Sequence, residues 1–112
     1  MSEKIGSSPS PKKMSVKISP STFGMTLGVT SVKVLPRKNN RSYLLVQNRS
    51  AGSVFFSFSS IDDNNFNCHE IIPGGNFEPN TNGLLVLGGD IYMKAAIANS
   101  NIAITEGIVN EN

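Results

Sequence analysis

Residue types that do chemistry are few in this chain, and their spacing does not suit catalysis. Cys68 and His69 are its one cysteine and one histidine. On a strand, adjacent side chains point to opposite faces, so these neighbours cannot form a thiol–imidazole nucleophile pair. Cys68 reads as a small buried hydrophobe and His69 as a surface residue. Carboxylates for general acid–base work would have to come from Asp62, Asp63, Glu70 or Glu78. Nothing adjacent in sequence would raise the pKa of one above that of another. The run Asp62-Asp63-Asn64-Asn65 offers hard oxygen ligands, but it lacks the glycine and glutamate spacing of an EF-hand and reads as a solvated loop. Gly74-Gly75 and Gly88-Gly89 are turn doublets rather than phosphate loops, and HExxH, GxxxxGK and GxSxG motifs are absent. Asn40-Arg41-Ser42 and Asn48-Arg49-Ser50 match the glycosylation sequon as chance hits in an Asn/Ser-rich chain. The expectation is a protein that is not an enzyme and needs no cofactor or metal.

The elements that would position these residues follow from composition. The chain has 112 residues, of which 15 are Ser and 13 are Asn, with 10 Gly and 6 Pro. These residues favour turns and caps over helix interiors, which argues against a helical bundle. A single cysteine excludes an intrachain disulfide scaffold. No run of about 20 apolar residues exists to span a membrane, and the N-terminus lacks the apolar stretch of a secretory signal. Pro9, Pro11 and Pro20, interleaved with Ser and Lys, predict an extended basic arm over residues 1–22, followed by one domain over 23–112.

From residue 30 onward, short apolar runs alternate with turn clusters every 8–12 residues, the pattern of an all-β sandwich or barrel. Strands are predicted over 30–35, 42–48, 54–59 and 68–72. The second is apolar on both faces, as a central strand would be. Val54, Phe56 and Phe58 share one face and are the predicted core, while Phe55 points the other way. Pro73-Gly74-Gly75 reverses the chain, and Asn76-Phe77 reads as an edge piece. LLVL at 84–87 is a short apolar run. The segment 91–98 fits helix or strand, and Ile102 and Ile104 alternate as in a strand. The reading is a single small β-sandwich, jelly-roll or Ig-like, of about 7–8 strands with an extended N-terminal arm.

The net charge of +2 conceals a division. Residues 1–49 carry nine bases and one acid; residues 50–112 carry one base and seven acids. A basic surface facing something negative is expected. Nucleic acid is disfavoured as the partner, because only Phe23 and Tyr43 accompany the bases as stacking platforms. An acidic protein surface, or another copy of the chain, fits better.

The runs RSYLLVQNRSAGSVFFSF, EIIPGGNFEP, DIYMKA and IAITEG together span residues 41–107. Their order and spacing resemble small tailed-phage virion proteins, the β-sandwich proteins of capsid decoration, cement or head-fibre bases. The resemblance implies structural roles for Arg41, Gln47, Asn48 and Pro73-Gly74-Gly75, and no catalytic site. It also implies a protein of the virion exterior, made in the bacterial host cytoplasm. Such a protein binds the major capsid protein, and copies of itself as a homo-oligomer, without membrane contact. The residues expected to touch partners are Lys12, Lys13 and Lys17 of the arm, Arg37, Lys38 and Arg41 beside it, and Phe55. The alternative is a tail- or fibre-associated β-module that binds a host glycan or another tail protein. The insert IDDNNFN is an addition to the pattern.

Overall fold

The computed structural model describes residues 16–79 and 88–111. Among the described residues there are eight strands: β1 (Val16–Leu27), β2 (Val32–Leu35), β3 (Arg41–Asn48), β4 (Val54–Ser57), β5 (His69–Ile71), β6 (Asn76–Phe77), β7 (Ile91–Ala95) and β8 (Ser100–Glu111). They form two four-stranded antiparallel sheets, ordered β1-β8-β3-β6 and β2-β7-β4-β5. Only β4 and β5 are both consecutive and paired; the other connections carry the chain to a non-neighbour. This interleaving of early and late strands is the jelly-roll form of the sandwich, which decides between the two topologies the sequence left open.

The core lies between the sheets. Leu27, Leu44, Val46, Ile102 and Ile104 meet Leu35, Val54, Phe56, Ile71, Ile91, Met93 and Ala95. Within each strand these residues recur with the period of two that the pleat requires. The 91–98 segment is a strand as far as Ala95, with Ile91, Met93 and Ala95 inward. The predicted core trio is two-thirds right. Val54 and Phe56 are buried, but β4 stops at Ser57 and Phe58 lies 40% exposed, its ring edge-on to Phe56 at 5.8 Å. Of the two isoleucines before Pro73, Ile71 is inward and Ile72 is exposed. Gly74 takes φ 77°, and the Gly75 N–H donates to the Ile72 carbonyl at 2.8 Å, so Pro73-Gly74 forms the centre of a tight turn. The short β6 is an edge strand, as expected.

The arm needs a correction. Residues 16–22, assigned to it, are the first half of β1 and pair with β8 in register from Val16↔Glu111 to Thr22↔Thr105. Pro20 does not interrupt this, because among the described residues β1 is an edge strand and one side of its backbone has no ladder to complete. Lys12, Lys13 and the LLVL run fall outside the described residues.

Candidate protein-docking surface

Arg41 opens β3, and a β-bulge decides where it points. Arg41 pairs with Ile108 and Tyr43 with Gly107, so two steps on β3 match one on β8. Without the bulge, Arg41 would share the outer face with Tyr43, Leu45 and Gln47. The extra residue rotates it into the space between the sheets, where it is 0% exposed. There its Nε donates to Glu106 Oε2 at 2.8 Å, Nη1 to the Gly89 carbonyl at 2.9 Å and Nη2 to the Pro36 carbonyl at 2.7 Å. Lys38 Nζ reaches the other Glu106 oxygen at 3.0 Å. Burial alone would raise the Glu106 carboxyl; the hydrogen bonds from Arg41 and Lys38 outweigh it and hold the pKa below the ordinary carboxylate value. The result is a charge clamp that fastens two connections, β2–β3 and β6–β7, to β3 and β8 at one end of the sandwich. Arg41 is therefore not a contact residue: its side chain is spent inside.

Asn48 plays the neutral counterpart at the other end of β3. It is fully buried; its amide nitrogen donates to the Gly52 and Ile71 carbonyls, both at 2.8 Å, and its Oδ1 accepts from Ser50 N and Oγ. Its backbone exchanges hydrogen bonds with Gly74 and Gly75. The Gln-Asn and Pro-Gly-Gly segments, 25 residues apart in the pattern read from sequence, are thus one structural joint.

The remaining expected contact residues divide. Lys17 lies exposed on β1 opposite Asn110, and Arg37 lies exposed in the β2–β3 turn, its N–H donating to Asp90 Oδ1 at 2.7 Å. Lys38 is half-buried against Glu106. Phe55 is half-buried on the outer face of the other sheet, in one row with Glu70 and Lys94. The structure groups Arg37 and Lys38, and brings neither Lys17 nor Phe55 to them. The division of charge along the sequence also disappears in space. Lys38 and Arg41 meet Glu106, and Lys33 meets Asp90 at 3.7 Å. A jelly roll lays its first half against its second, so the basic half pairs with the acidic half.

Two surfaces stay open. The first is β1 itself, twelve residues long, paired on one side only among the described residues. Exposed backbone of this kind is a template for another chain. The second is the outer face of the β1-β8-β3-β6 sheet, where Thr22 and Thr105 bond hydroxyl to hydroxyl at 2.8 Å, Gly24 faces Ala103, and Leu45 and Gln47 lie alongside. No charged side chain stands on these paired positions. Among the described residues no three His, Cys, Asp or Glu side chains gather to hold a metal ion. Cys68 is partly buried, which pushes its thiol pKa up, and its S–H donates to the Asn65 carbonyl. His69 is exposed and stacks on Phe56 at 5.2 Å.

No sequence-family model and no curated protein sequence matches the chain. A solved structure does: a chain of the Bacillus endospore appendages, described as a novel family of disulfide-linked pili. It superimposes with a TM-score of 0.58 over 94% of this chain and 96% of its own, at 8% sequence identity. At that identity the likeness is one of fold. It covers nearly the whole of both chains, so the sandwich is shared complete. Sequence reasoning did not find the edge strand or the uncharged paired positions beside it. Their one signal was the run of uncharged residues from Ser19 to Thr26.

Proposed function

We propose that the chain is a structural subunit of a larger assembly, working by protein–protein docking and not by catalysis. The observation that carries this reading is β1: a twelve-residue strand paired on one side only among the described residues, beside paired face positions (Thr22, Gly24, Ala103, Thr105) that carry no charge, while Arg41 and Glu106 are locked into the interior. The fold likeness to a pilus protein supports self-association, with copies of the chain as partners. The finer reading is a capsid decoration or cement protein of a tailed phage, docked on the major capsid protein at the virion exterior. The resemblance over residues 41–107 supports it, with Lys12, Lys13, Lys17 and Arg37 as the basic contacts. A cement protein acts through buried contact area and steering charge.

The test is sedimentation of the purified chain, alone and with phage heads assembled without it. Co-sedimentation with heads supports decoration, and oligomers of the chain alone support polymer formation. A chain that stays monomeric and leaves the heads bare contradicts the reading. Replacing Lys12 and Lys13 by Glu is expected to weaken head binding at low salt more than at high salt, since the pairing of exposed charges is screened.

A further inference from the structure

The acidic insert between β4 and β5 is a built feature. Asp62 N–H donates to Asn67 Oδ1 at 2.9 Å, Asn67 Nδ2 to the Ser60 carbonyl at 2.8 Å, Phe66 N–H to Asn64 Oδ1 at 3.2 Å, and Asn65 N–H to the Asp62 carbonyl at 3.1 Å. Lys94, only 6% exposed, reaches from β7 to donate to the Asp62 carbonyl at 3.0 Å. Lys94 shares the outward row of its sheet with Phe55 and Glu70, so the loop is fastened over the outer face of the β2-β7-β4-β5 sheet. Fixed in this way, the loop holds Phe66 86% exposed beside the exposed carboxylates of Asp62 and Asp63. Neither aspartate makes an ion pair among the described residues. A large aromatic held out by a pre-organised loop has already met most of the ordering cost of binding.

The opposite face carries the complement. A groove of about 420 Å³ lies on the β1-β8-β3-β6 sheet, floored by Gly24 and Ala103, bordered by Met25 and by Thr26 bonded to Asn101, and overhung by Arg49. The floor is low because neither residue carries a side chain beyond a methyl group. Arg49 is exposed, and among the described residues its guanidinium has one partner, Gln47 Oε1 at 3.3 Å.

We propose that the Phe66 loop of one copy seats in the Arg49 groove of the next, with Phe66 on the Gly24–Ala103 floor and Asp62 or Asp63 paired to Arg49. The two surfaces face away from each other across the sandwich, so one molecule cannot bring them together and a second copy must. The contact joins unlike surfaces, so it repeats front to back and builds a ring or an open filament. This deepens the assembly reading and rests on it, by naming the partner as the chain itself.

Light scattering on the full chain across concentration tests it, with circular dichroism confirming the fold of each variant. Phe66→Ser is expected to weaken self-association by roughly 30-fold or more, as loss of an aromatic anchor does. Arg49→Glu alone, and Asp62→Lys with Asp63→Lys, should each stay monomeric. Mixed, these two variants should assemble again, because each supplies the charge the other now needs. Assembly of the wild-type chain that is unchanged in every variant overturns this contact and leaves the assembly reading standing. A wild-type chain that is monomeric throughout also overturns it; the assembly reading is then judged on head binding alone.

Discussion

The Arg41–Glu106 clamp and the 58–68 loop both display charge, and they use it in opposite ways. Inside, one carboxylate is met by two cations, and Arg41 also satisfies two backbone carbonyls. Outside, two adjacent carboxylates stand beside an exposed phenyl ring with no cation paired to either among the described residues. A buried ion is tolerated only when its partners are complete. An exposed one is hydrated at little cost and remains available for contact. The charges of this chain thus separate by depth into those that hold the shape and those that can meet another surface.

Removing one partner of the clamp should have the largest effect. Arg41→Met leaves the buried Glu106 with Lys38 alone and takes the donor from the Pro36 and Gly89 carbonyls, and a loss of about 3–5 kcal/mol is expected in urea denaturation. A loss under about 1 kcal/mol, the level of a surface pair, would erase the distinction drawn between the two regions.

The pH dependence should be smaller and should belong to the clamp alone. The folded-state pKa of Glu106 is depressed, so its stabilisation is full above the ordinary carboxylate pKa and is lost as pH falls through the folded value. Thermal midpoints should therefore decline on acidification through and below the ordinary carboxylate range, and Glu106→Gln should flatten that part of the profile. An unaltered profile in Glu106→Gln would remove the carboxylate from the account of acid sensitivity. The smallest effect is expected at the loop. Asp62→Asn with Asp63→Asn should shift the unfolding free energy by no more than about 0.5 kcal/mol, because both carboxylates are exposed and neither is ion-paired among the described residues.

The strands were legible because apolar residues at a period of two mark them locally. Val54 with Phe56 and Ile102 with Ile104 read correctly, as did the strand over 42–48 and the turn at Pro73-Gly74-Gly75. Residues whose placement depends on a distant partner were not legible. Arg41 looked like a surface base because the bulge that turns it inward exists only in its pairing with β8. Val16–Thr22 looked like an arm because Pro and Ser hide a strand whose partner, β8, lies about 90 residues away. The charge division looked like a polar molecule because strand order, which folds one half onto the other, leaves no local mark. The candidate contact was half visible: the IDDNNFN insert stood out as an addition, while the Arg49 groove depends on Gly24 and Ala103 meeting across two strands.

A cryo-EM map of the assembly formed by the full chain tests the central claim most directly, because it shows inner and outer charges at once. The account predicts Arg41 closed on Glu106 within every copy and the Phe66 loop of each copy lodged against Arg49 of the next. A map in which copies associate while every Phe66 loop faces solvent, or in which Arg41 reaches across to a neighbour, would contradict it.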